Sequence, residues 1–290
     1  MGTASETAWL GVDLDDDGAL VVLADRRHGV LDVRRVLQTA DVNAIADACA
    51  VVLARSRRGA VGIAVGWRQP WQAAPQFCRA LAAATQLPVV PVGIGNCALM
   101  AVAHQGLLRG CRDALLLALG TEVTAAVWCD GGLLHRDGRP LDAAHLPLQA
   151  LGELCACGRR GCAHTVLGAQ AVQRLAVLAQ LPQHGDQRDL GSRAEQGDPL
   201  ARAVMAHIAD HLLRLAAVLT GVFGSQRLIL HWPGAKATGV IPELIGQRAT
   251  TLLPAISAIT IVILGPDSHA HGAALWAMRQ PLRTAMLVRT

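Results

Sequence analysis

The sequence predicts an α/β protein made of two similar strand-and-helix units. Short apolar runs bounded by Gly, Asp and Pro read as buried strands, and they alternate with amphipathic stretches of helical period. The opening order of strand, turn, strand, turn, strand returns from residue 114, which marks an internal repeat. The length of 290 residues, with 52% apolar and 17% charged residues, supplies a core for one large or two ordinary domains. The same composition excludes a disordered chain and a disulfide-stapled miniprotein.

The first strand is Trp9 to Leu14, running into Asp15-Asp16-Asp17-Gly18 as a hairpin turn. Strands Ala19 to Ala24 and Gly29 to Val36 follow. Asp41 caps a helix through about Arg55, and Ala60 to Val65 is a buried strand. This β-β-β-α-β order differs from the alternating βαβ of a dinucleotide-binding fold. A helix near Pro75 to Thr85, a strand Val89 to Val92 and a helix Asn96 to Leu108 complete the first half. The second half opens with strands Ala114 to Leu119, Thr124 to Cys129 and Leu133 to Arg136, with Asp130-Gly131-Gly132 as a turn. Helices are expected over 168–181 and 199–221, a strand over Arg227 to His231, and a helix over about 240–252. A strand Ile259 to Leu264 and a helix near 271–280 close the chain. The expected domains are 1–110, completed by a C-terminal helix in 270–290, and 111–269. No Pro-, Gly- or Ser-rich linker separates them, so tight docking is expected.

No apolar run reaches the roughly 18 residues that cross a bilayer, so no membrane association is expected. The polar start Met1 to Thr7 lacks the pattern of a secretory signal, and the expected location is the cytoplasm. Net charge is +4, Lys236 is the only lysine, and the arginines are scattered without a basic block. With no tyrosine and two phenylalanines, a surface for stacking single-stranded bases is not expected. Cys49, Cys78, Cys97, Cys111 and Cys129 lie among apolar residues and read as small buried hydrophobes.

The other three cysteines are clustered. Cys155-Ala156-Cys157-Gly158-Arg159-Arg160-Gly161-Cys162 places three thiols within eight residues, with glycines that permit sharp turns. Thiolates converging on one loop suit tetrahedral zinc, which needs a fourth ligand, and His145 ten residues upstream is the best candidate. Four protein ligands leave no open position for water, so the expected role is structural.

With this motif the chain resembles the ROK family of repressors, open reading frames and sugar kinases. Gly11-Val12-Asp13 is similar to the strand that opens the family's first phosphate loop, and Pro88-Val89-Val90 with Asn96 to the segment around its catalytic loop. Leu119-Gly120-Thr121 is similar to the second phosphate loop, Gly197-Asp198-Pro199 to the start of a long helix, and Gly272-Ala273-Ala274-Leu275 to the C-terminal helix. The resemblance implies an actin-like ATPase fold of ribonuclease-H type, two domains around a cleft. For active members it also implies ATP, magnesium, a hexose or N-acetylhexosamine substrate, and a dimer.

Phosphoryl transfer needs backbone donors around phosphate, a metal ligand and a carboxylate that accepts the hydroxyl proton. Against the family's pattern the first loop reads Asp13-Leu14-Asp15-Asp16-Asp17, carboxylates where glycines would approach phosphate. Two like charges at roughly 4 Å repel by about 4 kcal/mol at an effective dielectric of 20. The catalytic-loop segment is Val92-Gly93-Ile94-Gly95-Asn96-Cys97, so Ile94, expected in a packed apolar turn, holds the proton acceptor's position. Loss of a general base costs about 10²–10⁴-fold. Glu122-Val123-Thr124-Ala125-Ala126 replaces a Gly-rich turn, and His231-Trp232-Pro233-Gly234 replaces the nucleotide-side glycines. The loop after Gly66 is short, and the sugar-contacting glutamates correspond to Asp142 and His164.

The Asp13-to-Gly18 run also fits half of a calcium loop, but Ala24 stands where the bidentate Glu belongs, and an acidic solvated turn is the plainer reading. His269 and His271 near Asp267 read as a solvated loop, and Trp67 and Trp71 as caps on a core edge. The expected function is that of a zinc-stabilised sugar-kinase homologue with an eroded transfer site, and no catalytic residue is assigned. Asp13, Asn96, Thr121, Asp142 and His164 are its candidate ligand contacts, and a sugar or small metabolite its ligand. A homodimer or a heteromer with a related kinase is the expected assembly. DNA binding is not expected, because the chain begins directly at its first strand. The alternative is an active ATP- and magnesium-dependent hexose or N-acetylhexosamine kinase with an atypical site.

Overall fold

The computed structural model describes residues 7–15, 17–27, 29–37, 41–56, 58–68, 70–135, 137–181, 187–232 and 239–280. The chain forms two compact units. Unit 1 comprises residues 1–109, 135–140 and 264–290, and unit 2 comprises 110–134 and 141–263. Asp16, Arg136, Pro233, Gly234 and residues 281–290 of the sequence expectations lie outside the described residues.

In unit 1, β1 (Ala8–Asp15), β2 (Gly18–Asp25) and β3 (Gly29–Leu37) form an antiparallel meander. After α1 (Val42–Ser56), β4 (Ala60–Trp67) pairs parallel with β1. A short 3-10 turn (Trp71–Ala73) leads into α2 (Ala74–Thr85), β5 (Val89–Gly93) and α3 (Ile94–His104), and β5 pairs parallel with β4. The strand order is β3-β2-β1-β4-β5. Asp41 starts α1 as expected, its Oδ2 accepting from the N–H groups of Asn43 and Ala44.

Unit 2 repeats this plan. β6 (Ala114–Ala118), β7 (Thr124–Cys129) and β8 (Gly132–Leu134) form the antiparallel part, and β9 (Arg227–His231) and β10 (Ala258–Val262) pair parallel beyond β6. The order β8-β7-β6-β9-β10 matches unit 1 position for position, so the repeat seen in the sequence is a repeat of topology. The helices of unit 2 are α4 (Ala163–Leu167), α5 (Ala169–Leu178), α6 (Gln187–Glu195), α7 (Pro199–Phe223) and α8 (Val240–Leu252). The last helix among the described residues, α9 (Ser268–Ala277), returns to unit 1.

Three readings of the helices are corrected. The single helix over 168–181 is two, because Gly168 is extended (φ −67°, ψ 157°) and serves as the end of α4 and the start of α5. α6 was not foreseen, its sequence being strongly polar, with Leu190 and Ala194 buried. α9 begins at Ser268, so His269 and His271 sit on a helix and not in a loop. α7 is also long and apolar enough, by length and composition, to cross a membrane. Its Val204, Met205, Ile208, Leu212, Leu215 and Leu219 are buried in the unit 2 core.

Strand alternation decides what each sheet face does. In β1, Leu10 and Val12 join the core with Ile45, Val52, Ile63, Val65 and Leu81. Gly11 and Asp13 point to the other face, where α9 lies. A Cβ on Gly11 would sit 1.8 Å from the Ala270 carbonyl oxygen, and one on Gly272 would sit 1.9 Å from the Cys97 carbonyl oxygen. Glycine at these two places lets α9 lie directly on β1 and α3. Cys49, Cys78 and Cys97 are buried and their thiols are pushed up by desolvation, the first two to about 12, so they are inert hydrophobes. Cys111 and Cys129 are only half-buried, which corrects their expected burial.

Candidate functional site

The three clustered thiols and His145 converge in unit 2. The ligating atoms of His145, Cys155, Cys157 and Cys162 all lie within 4.8 Å of one another. Local hydrogen bonds account for the convergence: the Cys155 N–H donates to the Arg159 carbonyl (2.7 Å), and the Gly158 N–H to the Cys155 carbonyl (2.9 Å). The Leu148 N–H donates to the Gly161 carbonyl (2.7 Å), tying the loop to the strand-like stretch after His145. Gly158 and Gly161 both have positive φ (85° and 65°), and a Cβ on Gly161 would sit 1.7 Å from the Gln149 carbonyl oxygen. Glycine is therefore required at 161 for close backbone approach.

The donor set fits a tetrahedral metal. Metal–sulfur bonds of about 2.3 Å and metal–nitrogen bonds of about 2.0–2.1 Å give sulfur–sulfur edges near 3.8 Å and sulfur–nitrogen edges near 3.6 Å. Cys157 Sγ lies 3.6 Å from Cys162 Sγ, and Cys155 Sγ lies 3.4 Å from His145 Nδ1. Both are well beyond the roughly 2.05 Å of a disulfide. Cys155 and Cys162 are buried and Cys157 is exposed. The Cys157 thiol is drawn down to about 6, chiefly by the Arg159 backbone N–H, and burial pushes Cys162 up to about 12. A divalent cation bound here would take all three as thiolates.

Of the candidate ligand contacts in unit 2, His164 lies beside this cluster. His164 is half-buried at the start of α4, its ring centroid 6.3 Å from that of His145 and its N–H donating to the Ala144 carbonyl. Asp142 is exposed, just after the Ala125–Leu141 bridge. Thr121 is exposed in the turn between β6 and β7, where its carbonyl accepts from Ala169.

In unit 1, Asp13 is 5% exposed, and both its carboxylate oxygens are engaged. Arg68 Nη1 lies 2.8 Å from Oδ1 and also donates to the Leu14 carbonyl, and His269 Nδ1 lies 3.4 Å from Oδ2. Arg68 leaves the sheet just after β4, two residues beyond Gly66. Ile94 is the first residue of α3 and not part of a turn, because Gly93 is extended and ends β5 there. It is 5% exposed, with Cδ1 3.2 Å from where a Cβ on Gly66 would lie. Asn96 is 1% exposed and its Nδ2 donates to the carbonyls of Gly138 and Arg139, holding that segment against α3. Sequence reasoning missed Arg68 and His269. The only signal for Arg68 was its alternation with Gly66, and His269 needed the placement of α9.

The ROK family profile matches residues 33–280. The chain belongs to the ROK family. It is 31% identical over 172 residues to the DNA-binding transcriptional repressor Mlc of Escherichia coli, covering 54% of this chain and 41% of Mlc. It is 26% identical over 215 residues to the glucokinase of Halalkalibacterium halodurans, covering 68% of this chain and 65% of the glucokinase. The first matched curated relatives are thus spanned over less than two thirds of their length. Among solved structures, the ROK hexokinase from Thermus thermophilus aligns with TM-score 0.79 and 22% identity, over 94% of this chain and all of the hexokinase. That likeness places the ROK chain in the actin-like α/β fold of the ROK kinases.

Proposed function

We propose that this ROK protein binds a hexose or an N-acetylhexosamine without transferring phosphate to it efficiently, acting as a metabolite sensor or as an assembly partner of an active relative. The observation that carries the reading is the closure of Asp13 by Arg68 and His269. The Asp13 carboxylate hydrogen-bonds Arg68 through one oxygen and has the His269 ring 3.4 Å from the other, so a magnesium ion would have to compete with both. The guanidinium already supplies the positive charge that a metal would bring. Two further features support it. The position where the family places its proton acceptor holds buried Ile94, and the Asn96 amide is spent on backbone carbonyls. Relatives named as glucokinases, N-acetylmannosamine kinase and N-acetylglucosamine repressor support this ligand class.

In this reading zinc on His145, Cys155, Cys157 and Cys162 holds the loop that carries His164 near a sugar, and the protein works in the cytoplasm as a dimer. The residues bind and orient, and none of them removes a proton. The test is a coupled ATPase assay over a panel of hexoses and amino sugars, run beside melting curves with each sugar alone. A sugar-dependent rise in melting temperature with negligible turnover is expected. Turnover within the usual kinase range of about 1–100 s⁻¹ would overturn the proposal and favour an active kinase with an atypical site.

A further inference from the structure

The four-ligand loop is built asymmetrically. Cys155 and Cys162 are buried, while Cys157 is exposed, and its sulfur lies 3.6 Å from Cys162 Sγ. The two glycines between these cysteines differ in the same sense. Gly161 is wedged against Gln149, whereas a Cβ at Gly158 would meet nothing within 4 Å. The Cys162 end of the loop is therefore fixed, and the Cys157 end has room to move. Cys162 is held further by its place next to α4 and by the bridge between Pro147 and Cys162. Forming a bond of about 2.05 Å from 3.6 Å asks only for a shift of the solvent-facing Cys157 sulfur toward its anchored partner.

We propose that Cys157 is a site of reversible oxidation by hydroperoxides, which joins it to Cys162 and expels the metal. The inference rests on the zinc reading of the cluster. The Cys157 thiolate attacks the outer oxygen of the hydroperoxide. The O–O bond breaks, a Cys157 sulfenic acid forms, and the alkoxide or hydroxide leaves with a proton as alcohol or water. The Cys162 thiolate then attacks the sulfenyl sulfur, forming the S–S bond and releasing hydroxide, which takes a second proton as water. Two thiolates, one hydroperoxide and two protons thus become one disulfide, one alcohol (or water) and one water. The metal keeps only His145 and Cys155, too few to hold it.

The full-length chain, purified with its metal counted, is exposed to hydrogen peroxide, and zinc release is followed with a chromogenic chelator. Peptide masses are then mapped before and after reduction. The expected result is one zinc freed per chain, in step with loss of about 2 Da from the peptides carrying Cys157 and Cys162. Dithiothreitol plus zinc should reverse both. Cys157→His, which keeps a two-cysteine, two-histidine donor set, should hold its metal through the same treatment. The wild-type peptide map decides the matter even if that variant loads poorly. Zinc retained at peroxide levels that oxidise free cysteine, or a disulfide involving Cys155, overturns this inference and leaves the metal reading intact. A chain that carries no zinc at the outset overturns both.

Discussion

Arg68 Nη1, from the residue just after β4, and Asp13 Oδ1, from β1, meet at 2.8 Å. Asp13 is buried, and Arg68 keeps 30% of its side-chain surface. Removing the cation strands the carboxylate, whereas removing both groups does not. Arg68→Met should destabilise by about 1–3 kcal/mol, less than a fully buried pair because of the exposed guanidinium. Adding Asp13→Asn to Arg68→Met should recover much of that loss. Urea unfolding of the two single variants and the double variant checks this, and equal losses in Arg68→Met and the double variant would rule the coupling out.

Metal uptake should be steeply pH-dependent. Burial holds Cys162 protonated up to about 12 in the metal-free chain, so binding a cation must release at least its proton. Zinc affinity is therefore expected to fall at least tenfold for each unit by which the pH drops between 8 and 6. Competition titrations against a chelator of known affinity would measure the slope. Treatment with excess chelator should lower the melting temperature of unit 2.

His271 predicts an acid-sensitive unit 1. Its Nε2 is buried without a partner, and its ring meets His104 edge-on at 4.9 Å. Burial first, and then the like charge of His104, depress its folded pKa below the ordinary 6.5, with Asp267 opposing. The unfolded chain then binds more protons, so the stability is fully present above about 6.5 and is lost as the pH falls toward the folded value. Urea midpoints at pH 8 and pH 5.5 should differ in that direction, and His271→Leu should shrink the difference.

The glycine contacts of α9 give a sharp contrast. Gly272→Ala puts a methyl group 1.9 Å from the Cys97 carbonyl oxygen, and Gly11→Ala puts one 1.8 Å from the Ala270 carbonyl oxygen. Each should cost about 1–3 kcal/mol or more, since backbone must move. Gly59→Ala, with nothing within 4 Å, should be within about 0.5 kcal/mol of wild type. Thermal unfolding of the three variants tests the ranking.

Glu195 reaches from α6 to the start of α8, its Oε1 accepting from the Val240 N–H at 2.8 Å. It satisfies a donor that the helix itself leaves open, and Glu195→Ala should cost about 1 kcal/mol by urea unfolding. No change would mean that solvent substitutes for the carboxylate.

What was legible in the sequence was whatever depends on local order. The strand runs, the Asp41 cap and the repeated meander all follow from period and turn chemistry, and the metal loop follows from the spacing of Cys155, Cys157 and Cys162. The break at Gly168 was missed because an extended glycine between two helices looks like one tolerated inside a helix. α6 was missed because, among its described residues, only two apolar side chains, Leu190 and Ala194, are buried, too few to raise an apolar stripe. The closure of Asp13 was out of reach for a different reason. Arg68 and His269 come from positions far apart in the chain, and only the placement of α9 brings the histidine to the carboxylate.

α9 is the last described helix and yet it covers β1, the first strand, through Gly11. A nascent chain leaving the ribosome exposes that glycine face until α9 has been synthesised. Most of residues 110–263, by contrast, can find neighbours within their own stretch. Premature termination anywhere before 264 thus leaves the opening sheet uncovered on one side, an obvious handle for chaperones and proteases.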